Sequence, residues 1–82
     1  MSDGKLVRMA NQIATFFRTQ PADEAVKGIA QHIRDYWNPV MRREIYAHMD
    51  KGGEGLEPLT LKALQTLRTG DKAAGAASAR AD

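Results

Sequence analysis

Residues 32–44 read HIRDYWNPVMRRE, and they contain the junction between two predicted helices around which the chain is organised. Apolar residues recur at helical spacing on both sides of the pair Asn38-Pro39. The residue before a proline avoids helical backbone angles, so this pair ends the upstream helix. Asparagine is a strong N-cap and proline suits the first helical position, so the same pair starts the next helix.

Two further helices are predicted upstream and downstream of this junction by the same criteria. An apolar face at spacings of three and four predicts a first helix from about residue 3 to residue 18. Pro21, followed by the acidic pair Asp23-Glu24, starts the second helix. Gly28 lies inside that helix and should destabilise it by about 1 kcal/mol relative to alanine. Its missing side chain therefore predicts a close approach between helices.

The C-terminal half is divided by glycines. The third helix starts at Pro39, and the glycine pair at 52–53 supplies its left-handed C-cap. A shorter fourth helix ends at Gly70, and residues 71–82, mostly Ala, Gly and Ser, predict a disordered tail. The sequence thus predicts an all-α fold. Three main helices and a shorter fourth form one small bundle over residues 1–70, and a flexible C-terminal tail follows.

Composition restricts the possible functions. The 82 residues include no cysteine, which excludes thiolate nucleophiles, cysteine zinc sites and iron–sulfur ligation in this chain. Twelve basic and ten acidic residues are interspersed, whereas a dedicated nucleic-acid binder concentrates its basic residues. No apolar run approaches the roughly 18 residues of a membrane span, and the N-terminus is unlike a secretory signal. A cytoplasmic location without membrane contact is expected.

No catalytic, cofactor-binding or metal-ligating residue is predicted. His32 and His48 are sixteen residues apart, and a metal site needs three or four ligands in a defined geometry. Both are expected to be half-buried or surface histidines. The glycines at 52–55 lack the Lys-Ser/Thr of a phosphate-binding loop, so they are expected to form a turn between helices.

An interface with another protein is the site that the sequence favours. Tyr, Trp, Arg and Met are enriched in such interfaces, and the bundle is too small to bury all its large apolar residues. We expect Trp37, Tyr36, Met41 and one of Phe16 and Phe17 to be anchors. The arginines are expected to be flanking polar contacts. The predicted interface residues are Phe16, Phe17, Arg34, Tyr36, Trp37, Met41, Arg42 and Arg43. The alternative is that Tyr36, Trp37 and Met41 simply form the core, and the two interpretations are compatible.

Three motifs carry a family resemblance. They are LVRMANQIATFF at 6–17, HIR leading to YWNP and MR at 32–42, and GLEPL at 55–59. Together they resemble the small delta subunit of cytoplasmic, NAD-dependent formate dehydrogenases that contain molybdenum or tungsten, from about Lys5 to Leu67. The family usually has Phe where this chain has Tyr36, and Arg where it has Val40. The second difference removes a positive charge.

The resemblance implies a function for the chain. Such an enzyme oxidises formate to carbon dioxide, and its molybdenum cofactor, iron–sulfur clusters, FMN and NAD belong to the larger subunits. The delta subunit is expected to be non-catalytic and to stabilise or assemble the complex by docking on the large molybdenum-cofactor subunit. Two alternatives remain open at this point. One is a small helical nucleic-acid-binding or regulatory module, and the other is a transient assembly chaperone for cofactor insertion.

Overall fold

The computed structural model describes the backbone of residues 2–81 and the side chains of residues 4–72. Its helices are α1 (Ser2–Phe17), α2 (Ala22–Tyr36), α3 (Pro39–Asp50) and α4 (Pro58–Ala81). Residues 2–81 contain no strand. The predicted all-α fold class is therefore confirmed, and the first three helices start within about one residue of the predicted positions.

The Asn38-Pro39 junction forms as predicted. The Asn38 side-chain oxygen accepts a hydrogen bond from the backbone N–H of Met41 at 2.9 Å, and Pro39 is the first residue of α3. Trp37 has extended backbone angles (φ −95°, ψ 134°), and its N–H donates to the carbonyl of Ile33 at 2.8 Å. The chain therefore turns sharply between α2 and α3.

The glycine pair ends α3, also as predicted. Gly52 and Gly53 have backbone φ values of 113° and 65°, which residues other than glycine rarely adopt. Their N–H groups donate to the carbonyls of Met49 and His48 at 3.1 and 3.0 Å. These bonds satisfy carbonyl groups that the helix itself leaves without a partner.

The prediction of a short fourth helix ending at Gly70 is wrong. At 24 residues α4 is the longest helix, and it passes through Gly70 to Ala81. The sequence after Gly70 is rich in alanine, the best helix former, which favours continuation of the helix. The Arg34 guanidinium lies over Gly70, with Nη2 2.7 Å from the position that a Cβ would take. The predicted flexible tail comprises residues 71–82, most of which lie outside the range 4–72 whose side chains are described. Within that range, Asp71 contacts α3.

The core lies between α2 and α4, which form the most extensive helix pair, with α1 and α3 packed around them. The buried apolar residues of this cluster are Leu6, Val7, Ala10, Ala14, Val26, Ile29, Ala30, Ile33, Trp37, Ile45, Ala63, Leu64 and Leu67. The close approach predicted at Gly28 is confirmed, because a Cβ there would lie 2.5 Å from the ring of Phe17. The space beside Gly28 is therefore occupied by the Phe17 side chain of α1.

Candidate protein-interaction site

An open apolar groove of about 590 Å³ lies beside the core, between α1, the end of α2 and the start of α3. We call it the aromatic groove. Its lining residues are Met9, Gln12, Ile13, Phe16, Phe17, His32, Tyr36, Trp37 and Met41. Two of these side chains project into solvent, since Phe16 is 86% and Tyr36 75% exposed. Large exposed apolar groups that lie together on a small protein mark interaction surfaces.

Two apolar stripes on α1 explain one wall of the groove. The first is buried in the core and consists of Leu6, Val7, Ala10 and Ala14. The second, at spacings of four and three, lies along the groove and consists of Met9, Ile13 and Phe16. The apolar face of α1 is thus wider than the bundle can cover, because neighbouring residues on a helix point about 100° apart.

The end of α2 supplies the opposite wall. Tyr36 is the last helical residue, and its ring packs against that of His32, with centroids 4.7 Å apart and the ring planes tilted by 34°. Trp37, released from helical angles, turns inward and is only 5% exposed, although it lines the groove. Met41, in the first turn of α3, is half-buried against the core. Of the three residues that could have formed the core, Trp37 belongs to it, Met41 does so in part and Tyr36 does not.

Five of the eight predicted interface residues line the groove together: Phe16, Phe17, Tyr36, Trp37 and Met41. Met9, Gln12, Ile13 and His32 also line the groove, although the sequence analysis did not select them as interface residues. The repeat from Met9 through Ile13 to Phe16 could have revealed the second stripe. The aromatic groove thus brings together the apolar part of the predicted interface and leaves out its basic part.

The three arginines lie elsewhere. Arg42 forms an ion pair with Asp71 at 3.5 Å, and its Nη1 donates to the carbonyl of Arg34 at 3.3 Å. The Arg34 side chain reaches over Gly70 on α4. Arg43 is exposed and does not line the groove. Arg42 therefore joins α3 to its neighbours within the bundle, which the sequence spacing did not indicate.

A polar cluster next to Arg42 fastens α3 to α4. The Tyr46 hydroxyl donates to Oδ2 of Asp71 at 2.6 Å, and the Arg68 guanidinium lies 5.7 Å from the centre of the Tyr46 ring. Arg68 also makes two hydrogen bonds to Asp50, at 2.7 and 2.9 Å, which lower the pKa of that carboxyl. Burial, followed by the bond to Asp71, raises the pKa of Tyr46 above its usual range.

Side chains also hold the loop between α3 and α4. The Asn11 amide donates to the carbonyl of Gly55 at 2.9 Å and accepts from the N–H of Glu57 at 3.2 Å. Arg18 pairs with the Glu57 carboxylate, and a His48 ring nitrogen lies 2.7 Å from the carbonyl oxygen of Glu54. The glycine-rich segment is therefore a fixed turn between helices.

The described part of the chain contains neither a metal-binding cluster nor a helix that could cross a membrane. There, no group of three His, Asp or Glu side chains is placed to hold a metal ion. Among the helices described, none has both the length and the apolar character required to cross a bilayer. His32 and His48 are both half-buried, as predicted.

The described residues thus form a small helical protein whose main surface feature is an apolar groove. The model of the family described as NADH-dependent formate dehydrogenase delta subunit, FdsD, matches residues 5–64. The chain belongs to that family: it is the delta subunit of an NAD-dependent formate dehydrogenase, and its partners are the other subunits of that enzyme. Comparison with curated proteins and with solved structures found no significant match.

Proposed function

We propose that this chain is a non-catalytic accessory subunit that docks through the aromatic groove on the large molybdenum-cofactor subunit and so stabilises or assembles the complex. The observation that carries this proposal is the exposure of Phe16 and Tyr36 on the two walls of an apolar groove. In a chain that belongs to an enzyme complex, such a surface supports contact with another subunit.

The energetics favour docking. Covering the two rings would remove roughly 250 Å² of apolar surface from water, given about 150–250 Å² for a fully buried aromatic side chain. At about 25 cal/mol per Å² this is roughly 6 kcal/mol before the entropic cost of association. Two aromatic anchors can therefore contribute a substantial part of a subunit contact.

The cofactors belong, in this proposal, to the other subunits. The chain has no cysteine with which to ligate an iron–sulfur cluster. Oxidation of formate, and the molybdenum cofactor, clusters, FMN and NAD that it requires, are accordingly assigned to the larger subunits. A cytoplasmic location of the complex is part of the same proposal.

The test compares two charged substitutions in the full chain co-expressed with the other subunits. Phe16→Asp places a charge in the aromatic groove, whereas Val40→Asp changes an exposed apolar residue that does not line it. We expect Phe16→Asp to lower recovery of the chain with the catalytic subunit at least tenfold and Val40→Asp to leave it nearly unchanged. Circular dichroism of each purified variant checks that both still fold.

Equal recovery of the two variants would rule out the groove as the docking surface. Trp37→Ala is a poorer test, because Trp37 is in the core and truncating it destabilises the fold by about 3–5 kcal/mol. Lys72→Ala, at an exposed position of α4 outside the groove, serves as a neutral comparison.

A permanent subunit and a transient assembly factor differ in stoichiometry. We expect size-exclusion chromatography of the active enzyme to retain this chain in a constant ratio to the catalytic subunit. Loss of the chain while activity is retained would favour the assembly factor. Three of the basic side chains, those of Arg18, Arg42 and Arg68, are paired with carboxylates, which argues against the nucleic-acid alternative. A titration with DNA or RNA at low salt tests it directly.

A further inference from the structure

We propose that the aromatic groove receives an amphipathic α-helix of the partner subunit. Two turns of that helix would place apolar side chains between Phe16 and Tyr36, with an acidic side chain beside Lys5 and Arg8. This inference rests on the proposed function and goes beyond it, because it specifies the form and chemistry of the segment that binds.

The length of the groove fits two helical turns. Its α1 wall runs from Met9 through Ile13 to Phe16, and the seven steps along the helix from residue 9 to residue 16 span about 10 Å at 1.5 Å each. Helices that bind in grooves present apolar side chains at positions i, i+3 or i+4, and i+7, which cover the same distance. One apolar side chain can thus lie opposite each residue of the stripe.

The apolar character of the groove favours a helix over an extended segment. The polar side chains in its lining are those of Gln12, His32 and Tyr36, with the indole N–H of the buried Trp37. An extended segment would bring a backbone N–H and C=O with every residue, and residues 2–81 contain no strand to pair with them. A helix satisfies these groups internally and presents only side chains to the groove.

The charges on α1 set the chemistry at one end. Among residues 4–17 the only charged side chains are Lys5 and Arg8, both exposed, and neither forms an ion pair with a described residue. Lys5 lies one helical turn before Met9, and Arg8 one turn before Gln12. The start of the groove wall is therefore basic, and the positive end of the α1 dipole reinforces it. An acidic residue of the partner is the complementary group.

Photo-crosslinking tests the form of the partner segment. In the complete complex, p-benzoylphenylalanine replaces Phe16, where exposure lets the larger ring be accommodated, and Val40 in a control. We expect the label at 16 to react with one subunit, and its peptide to be a helical segment with apolar residues at i, i+3 or i+4 and i+7 and an acidic residue near one end. The label at 40 should not react with that peptide.

The outcomes separate the two proposals. A crosslink from position 16 to a loop, a strand or a proline-rich segment of the large subunit overturns the helix and leaves the proposed function standing. A crosslink only to a second copy of this chain, or to no formate dehydrogenase subunit, contradicts both. Recovery of Phe16→Asp with the catalytic subunit reports on the proposed function independently.

Charge reversal tests the acidic end. The double variant Lys5→Glu, Arg8→Glu is compared with Lys62→Glu, Lys72→Glu, which makes the same charge change at exposed positions of α4 outside the groove. We expect the first to weaken binding to the large subunit about tenfold at low salt, with a smaller effect at high salt because exposed charges are screened. The control should change binding less than about twofold. Equal effects of the two double variants would contradict the proposal that an acidic side chain of the partner lies beside Lys5 and Arg8.

Discussion

The two sides of α2 differ in how completely they are packed. The side that faces α4 meets Ala63, Leu64 and Leu67, all fully buried, and leaves no large apolar side chain exposed. The side at its C-terminal end, together with α1, forms the aromatic groove, where Phe16 and Tyr36 project into solvent. One helix thus serves a completed core and an uncovered apolar surface. The first side therefore stabilises the fold, and the second side remains exposed to solvent.

The largest expected effect contrasts a residue of the completed core with one of the groove. Leu64→Ala removes a fully buried side chain and should lower the free energy of unfolding by about 2–5 kcal/mol. Phe16→Ala removes an exposed ring and should change it by less than about 0.5 kcal/mol. Urea denaturation of the isolated chain measures both.

A bundle of this size has little stability in reserve, so Leu64→Ala can unfold it entirely. Ile33→Val then provides a measurable change, expected at about 0.5–1.5 kcal/mol. If Phe16→Ala destabilised the chain as much as Ile33→Val, the groove would contribute to the packing of the fold. The contrast between a packed side of α2 and an exposed one would then be wrong.

The next effect contrasts two glycines. Gly28 lies in α2 and faces α1, whereas Gly70 lies in α4 and faces α2. Gly28→Ala would place a methyl group against the Phe17 ring, at 2.5 Å, and should destabilise the fold by about 1–3 kcal/mol. Gly70→Ala meets only the end of the flexible Arg34 side chain, which can move aside. It should therefore stabilise α4 by up to about 1 kcal/mol through helix propensity.

Thermal unfolding of the two glycine variants gives the sign of each change. Opposite signs are expected. A stabilised Gly28→Ala variant would mean that the Phe17 ring moves readily, and that the packing between α1 and α2 is looser than the structure indicates.

The smallest effect concerns the polar cluster that joins α3 to α4. The folded chain raises the pKa of Tyr46 above that of the unfolded chain, which is about 10. The stabilisation is therefore complete below pH 10 and is lost as the pH rises above it, because the unfolded chain then releases the proton first. This loss is at most about 0.8 kcal/mol at pH 10.5.

Tyr46→Phe removes the hydrogen bond to Asp71, so it should be less stable than the parent by about 1 kcal/mol at pH 8. We expect this gap to narrow by pH 10.5, as followed by urea unfolding at each pH. Tyr36→Phe, at an exposed ring, is the matched control. A gap that stayed constant with pH would show that the Tyr46–Asp71 bond does not hold the proton.

Local rules were sufficient for most helix boundaries. Asn38-Pro39 acts through backbone angles and a cap within four residues, so its effect can be predicted from the sequence. Gly70 was misjudged because a glycine inside a helix and a glycine that ends one look the same in sequence. In the structure the helix continues through Gly70, and the side chain of Arg34, 36 positions away in the sequence, lies over it.

The sequence predicted the apolar residues of the candidate site, but not where its arginines lie. Phe16 and Tyr36 were selected as residue types typical of interfaces, and both line the aromatic groove. Arg42 was selected by its proximity in sequence, yet it pairs with Asp71 on another helix. Contacts between distant segments depend on how helices are arranged in space, which residue types and spacing do not specify.

The helical class, the junction at Asn38-Pro39 and the family can be read from the sequence alone, because they depend on local backbone preferences and on the order of residues. The burial of Trp37 in the core and the exposure of Tyr36 and Phe16 along one groove depend on how the helices pack. The two neighbours are chemically alike in sequence. Their fates differ because α2 ends between them, so that one ring turns into the bundle and the other remains on its surface.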